Sequence, residues 1–166
     1  MEQGITLKRV KAGICLTAMA FALFMTAACS DSASKEEPTV DLGAVMTGIG
    51  DLASGEDMLD LTEEELLSFY GIEAGEYVQF AAKINVSGVS ADEIVFIEAA
   101  DENTAQSVKD KLETRYQAKL NETKNYFPEE YEKIQSSQVR QNGNFISMVV
   151  SDNADKINAA YDAAFA

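Results

Sequence analysis

The sequence contains no histidine, no tryptophan, two cysteines and two prolines, and fewer than half as many basic as acidic residues. Without imidazole, histidine-dependent triads and His-ligated zinc sites are excluded. The thiols are Cys15 and Cys29, and Cys15 lies in an apolar leader, so the part beyond it has no second cysteine for an internal disulfide. Thirteen Lys and Arg stand against 28 Asp and Glu, a formal charge of −15. Such a surface repels phosphate backbones and anionic headgroups, which argues against a nucleic-acid partner. No P-loop, dinucleotide fingerprint or EF-hand loop occurs. The composition thus points to no cofactor, no metal site and no catalytic set.

The chain opens with a basic patch, Lys8, Arg9 and Lys11, followed by a run without charge from Ala12 to Ala28. This is the pattern of a signal peptide. As a helix the run would measure about 25 Å, short of a hydrocarbon core of about 30 Å, so cleavage is expected rather than a permanent span. Ala27-Ala28-Cys29 resembles the bacterial lipobox, with Thr26 where leucine is usual. The resemblance implies that residues 1–28 are removed and that Cys29 carries a diacylglyceryl lipid with palmitate-type chains. Two acyl chains at about 0.8 kcal/mol per buried methylene suffice for stable anchoring. Residues 29–38, ending in Lys35-Glu36-Glu37-Pro38, are polar and read as a flexible tether. Cleavage removes Glu2 with the three basic residues, leaving 10 basic against 27 acidic residues and a charge of −17.

Residues 39–166 suit one α+β domain, large enough for a core without disulfides. Leu42, Val45, Met46, Ile49 and Leu52 mark a helical stripe over about 40–53. Leu61-Thr62-Glu63-Glu64-Glu65-Leu66 carries a capping box with a hydrophobic staple, and Gly71 supplies the left-handed residue that ends the same helix. Val78, Phe80, Ala82, Ile84 and Val86 alternate with polar or small residues, predicting a strand with one wet face. Ile94-Val95-Phe96-Ile97 is apolar throughout, predicting a central strand covered on both sides. A long helix follows from Asn103 to about Lys124, and Pro128 starts a shorter one. Residues 138–151 read as a hairpin with Asn142-Gly143 in a type I′ turn, and a last helix begins near Asn153. The expectation is a four-stranded, largely antiparallel sheet built from two hairpins, with helices mainly on one face.

Five stretches together resemble a known family. They are Tyr70-Gly71-Ile72, the segment DEIVFIEAAD from Asp92 to Asp101, Arg115, YFPEEYEKI from Tyr126 to Ile134, and GNFISMVVSDNADKI from Gly143 to Ile157. The chain is similar to small clostridial-type lipoproteins with the domain of unknown function numbered four-three-five-eight. The resemblance implies a Gram-positive, surface-anchored protein and carries over no activity, cofactor or catalytic residue.

Candidate residues for chemistry are few. Glu98, Asp101 and Glu102, at the end of the central strand, are the acids from which a carboxylate-dependent hydrolase would be built, or else helix caps and ion-pair partners. Glu63, Glu64 and Glu65 either bind a cation or face the positive end of a helix dipole. Arg115 and Arg140, the two arginines beyond the leader, each serve as a fork for a ligand carboxylate or pair with an acid of the domain such as Glu98. Tyr126, Phe127 and Tyr131 flank Pro128 and form either a partner patch or the packing of the short helix. The resulting expectation is a lipid-anchored, extracytoplasmic binding or interaction module of the cell envelope. A carboxylate hydrolase and an acidic cation-binding surface protein are the alternatives.

Overall fold

A computed structural model describes residues 40–55 and 57–166. The leader, Cys29 and the tether lie outside them. Among the described residues no helix is long and apolar enough to cross a membrane.

The elements are α1 (Leu42–Gly48), β1 (Met58–Asp60), α2 (Glu63–Tyr70), β2 (Tyr77–Asn85), β3 (Glu93–Ala99), α3 (Glu102–Thr123), α4 (Pro128–Gln135), β4 (Val139–Asn142), β5 (Phe145–Val150) and α5 (Ala154–Ala163). The strands form one open sheet in the order β1-β2-β3-β5-β4, and every neighbouring pair is antiparallel. The α+β class and both hairpins are as expected, and β3 is the central strand.

The sheet has five strands rather than four. The additional one, β1, pairs Met58 with Asn85 and Asp60 with Lys83. Three residues are too few to show a period of two, so nothing in Met58-Leu59-Asp60 signals a strand.

The expected one-sided cover is also corrected, because helices lie on both faces. Val95 and Ile97 of β3 join Ala82, Ile84, Ile146 and Met148 in a core closed by α2 and α3 through Leu66, Tyr70, Val108 and Leu112. On the opposite face Ile94 and Phe96 join Phe145 and Val149, closed by α1 and α5 through Leu42, Met46, Ile157 and Tyr161. Phe96 stacks on Tyr161 at 4.6 Å between ring centroids. Strands apolar on both sides must be covered on both sides, and the chain's first and last helices supply the second layer.

Local signals explain most boundaries. Thr62 Oγ1 accepts from Glu65 N–H while the Thr62 N–H donates to Glu65 Oε2 at 2.8 Å, the reciprocal capping box of α2. Gly71 ends that helix at φ +68°. Asp101 caps α3, accepting from Thr104 N–H at 2.8 Å, and Pro128 stands in the first turn of α4. The stripe of α1 is buried at Leu42, Met46 and Ile49, but the helix closes at Gly48 and continues as turns.

Two details depart from the sequence reading. A register shift between Tyr77 and Gln79 throws Val78 outward, so only Phe80, Ala82 and Ile84 keep the inward alternation of β2. The second hairpin pairs Asn142 with Phe145, so its turn residues are Gly143 and Asn144. Gly143 alone takes a positive φ, +57°, in the glycine-first arrangement of a type II′ turn instead of type I′.

Candidate interaction site

The predicted site residues fall into three separate places. Arg115, on the inward face of α3, is internally paired, but with Glu93 rather than Glu98. Its Nη2 donates to Glu93 Oε2 at 3.0 Å and its Nε to Oε1 at 3.2 Å. One turn further along α3, Lys119 Nζ donates to Oε2 at 2.7 Å, and Tyr70 from α2 donates its hydroxyl to Oε1 at 2.8 Å. The Arg115 guanidinium also lies 5.9 Å from the Tyr70 ring centroid. Glu93 is fully buried, yet four donors surround its two oxygens, so the carboxylate is satisfied as a charge.

Burial on its own would raise the Glu93 carboxyl's pKa. The Lys119 ammonium and the Arg115 guanidinium outweigh it and hold the group below the ordinary carboxylate value. For Arg115, burial pulls the guanidinium down and the Glu93 contacts reverse that, with a net rise. The Tyr70 phenol is pushed far up, first by burial and then by the Glu93 charge. Every polar group here is directed at another group of the same cluster, which ties α2, β3 and α3 together.

Arg140 lies elsewhere, on β4, where its Nη2 donates to both carboxylate oxygens of Asp162 on α5 at 2.7 Å. The two arginines are thus not brought together. The acids at the end of β3 are occupied too: Glu98 Oε2 accepts from Gln79 Nε2 at 2.6 Å, and Asp101 is the cap of α3. Glu65 belongs to the capping box of α2, and Glu63 and Glu64 share its first turn. Among the described residues no group of three or more acidic side chains is placed to hold a metal ion.

The third place is a surface. Tyr126 is 78% exposed and Phe127 41%, and the β2–β3 turn sets Val89 (66%) beside this corner between α3 and α4. Two adjoining hollows of about 130 and 350 Å³ run between the turn and the corner, sharing Val89, Phe127 and Glu130. The Ala91 N–H donates to Glu130 Oε2 at 2.6 Å, and Lys133 reaches Asp92 at 2.9 Å, so α4 is clamped to the turn. Tyr131 is half-buried and lines neither hollow.

A family model described as a domain of unknown function, DUF4358, matches residues 51–151. The chain is a member of this DUF4358 family. No curated protein and no solved structure matches it. The DUF4358 match spans all five strands with α2, α3 and α4, and so holds both the Glu93 cluster and the exposed corner. It leaves out α1 and α5, the two helices over the second face.

Sequence reasoning missed Glu93, Lys119 and Tyr70, and it missed Val89 as part of the patch. One signal for the first group was present. Glu93, Val95 and Ile97 share one side of β3, while Arg115 and Lys119 stand four apart on one side of α3. An acid in phase with a buried strand face requires a buried cation. For Val89 no such signal exists, because only the fold brings the turn against residues 126–127.

Proposed function

We propose that this DUF4358 protein is a lipid-anchored interaction module on the outer face of the bacterial cytoplasmic membrane, held by Cys29 and meeting an envelope partner through Val89, Tyr126 and Phe127. The observation that carries the reading is this exposed apolar corner, because three large apolar side chains from two separate segments, Val89, Tyr126 and Phe127, are gathered around hollows instead of being buried. Gln79 Nε2 donates to the Val40 carbonyl at 2.7 Å, so the chain enters the domain near the start of β2. The patch lies past Asn85 at the other end of that strand, about 20 Å away at about 3.3 Å per residue. The point where the chain enters the domain and the patch thus lie toward opposite ends of β2.

The test has two parts, both in intact cells. Wild type is expected in the membrane fraction and Cys29→Ser outside it. A photoreactive residue at Tyr126 is expected to capture an envelope protein, whereas the same group at the exposed Asp155 on α5 does not. Membrane retention of Cys29→Ser, or equal capture from both positions, would overturn the proposal.

A further inference from the structure

Resting on that reading, we infer that the corner recognises a protein segment presenting one apolar side chain flanked by lysine or arginine. The floor supplies the first half of the inference. Val89 and Phe127 belong to both hollows, and the smaller, about 130 Å³, holds roughly the volume of four liquid waters, the bulk of a single apolar side chain.

The rim supplies the second half. Glu122 and Glu129 line the hollows together with Glu130, which is already paired with Lys133. Lys119 lines the smaller hollow itself, Lys133 and Arg115 stand close by, and all three are engaged by acids of the domain. Lys119 Nζ is held by the buried Glu93 at 2.7 Å, and Lys133 Nζ by Asp92 at 2.9 Å and Glu130 at 3.1 Å, with Asp152 at 3.6 Å. Lys124 is exposed on the last turn of α3 but lines neither hollow. The field that a visitor meets is therefore negative, on a domain that is itself strongly acidic. A second copy of this chain would bring the same acidic rim against itself, and an anionic bilayer would be repelled. A basic-flanked apolar segment satisfies floor and rim together, and its charges also steer the encounter.

The chain has no tryptophan, so tryptophan emission in a binding titration belongs wholly to the probe. Two peptides with the same tryptophan-containing apolar core, one flanked by lysines and one by glutamates, are titrated against the full-length protein in neutral phosphatidylcholine vesicles, with empty vesicles as blank. The lysine-flanked peptide is expected to bind at least about tenfold more tightly, with the preference shrinking several-fold in 0.5 M salt. Tyr126→Ala is expected to weaken it about tenfold while melting with wild type, and the double change Glu122→Lys and Glu129→Lys to abolish the preference. Equal affinity for the two peptides, a preference for glutamates, or binding of neither would overturn the inference. Selective capture at Tyr126 in cells without a lysine preference would reject the partner class alone. Loss of selective capture would reject the interaction reading with it.

Discussion

Replacing Glu93 by glutamine keeps the side chain's volume and removes its charge. The carboxylate is fully buried and meets Arg115, Lys119 and Tyr70; the Lys119 side chain is only 9% exposed, so its ammonium has little water, and among the described residues Glu93 is its salt-bridge partner. Glutamine would retain one acceptor oxygen but turn an amide N–H₂ toward one of the donors. Breaking a buried pair from one side costs about 3–5 kcal/mol. Arg115 is partly exposed and can turn outward, which places the expectation near the lower end, at about 3 kcal/mol. Against a total stability of about 5–15 kcal/mol this is a large loss, and for a domain of this size it lowers the Tm by roughly 10–15 °C. The assay is far-UV circular dichroism during urea and thermal unfolding. Lys119→Met alone leaves Glu93 still bound by Arg115 and should cost less. Combined with Glu93→Gln it removes the orphaned cation, so the double variant should be more stable than the sum of the singles by at least about 1 kcal/mol. A Glu93→Gln loss below about 1 kcal/mol, or strict additivity, would refute the electrostatic account of this cluster.

Three further outcomes follow from the same structure. Glu93, Glu76, Glu65 and Asp101 all have folded-state pKa values depressed below their ordinary ones. Their stabilisation is present above the unfolded values, near 4 to 4.5, and fades as the pH falls through the folded ones, so urea midpoints should drop below about pH 4.5, and less steeply in Glu93→Gln. Thr62→Ala removes the capping box of α2 and should cost about 1 kcal/mol by the same urea assay, with Thr62→Ser close to wild type. Gly71→Ala meets no atom within 4 Å, so its cost of about 1 kcal/mol comes from the positive φ alone, and calorimetry should show a lower Tm with native secondary structure retained.

The parts of this fold readable in the sequence are those where one residue's neighbours decide its conformation. The capping box at Thr62 and Glu65, the stop at Gly71, the start at Pro128 and the run Ile94–Ile97 are all of that kind, and each forms the element expected of it. What could not be read depends on partners distant in sequence. The β1 strand exists because β2 offers an edge, and α1 and α5 occupy a face that the alternation of β2 marks as wet. With 28 acids in the chain, no local pattern selects Glu93 as the partner of Arg115. The patch was largely legible: Tyr126 and Phe127 stand out beside Pro128, but Val89 joins them only through the turn that the fold brings alongside.

Because β5 lies inside the sheet rather than at its edge, the last-made part of the chain completes its middle. Glu93 pairs with Val150 and Glu98 with Phe145, across the whole of α3 and α4. When the β2–β3 hairpin forms first, β3 lacks its inner neighbour until β5 docks. During that interval Ile94-Val95-Phe96-Ile97 is an open apolar edge of the kind that joins one nascent chain to another. Glu93 and Glu98 stand at its two ends, where flanking charges discourage such pairing. The residue that becomes the buried anchor of three elements is, before β5 docks, one of the two charges flanking that edge.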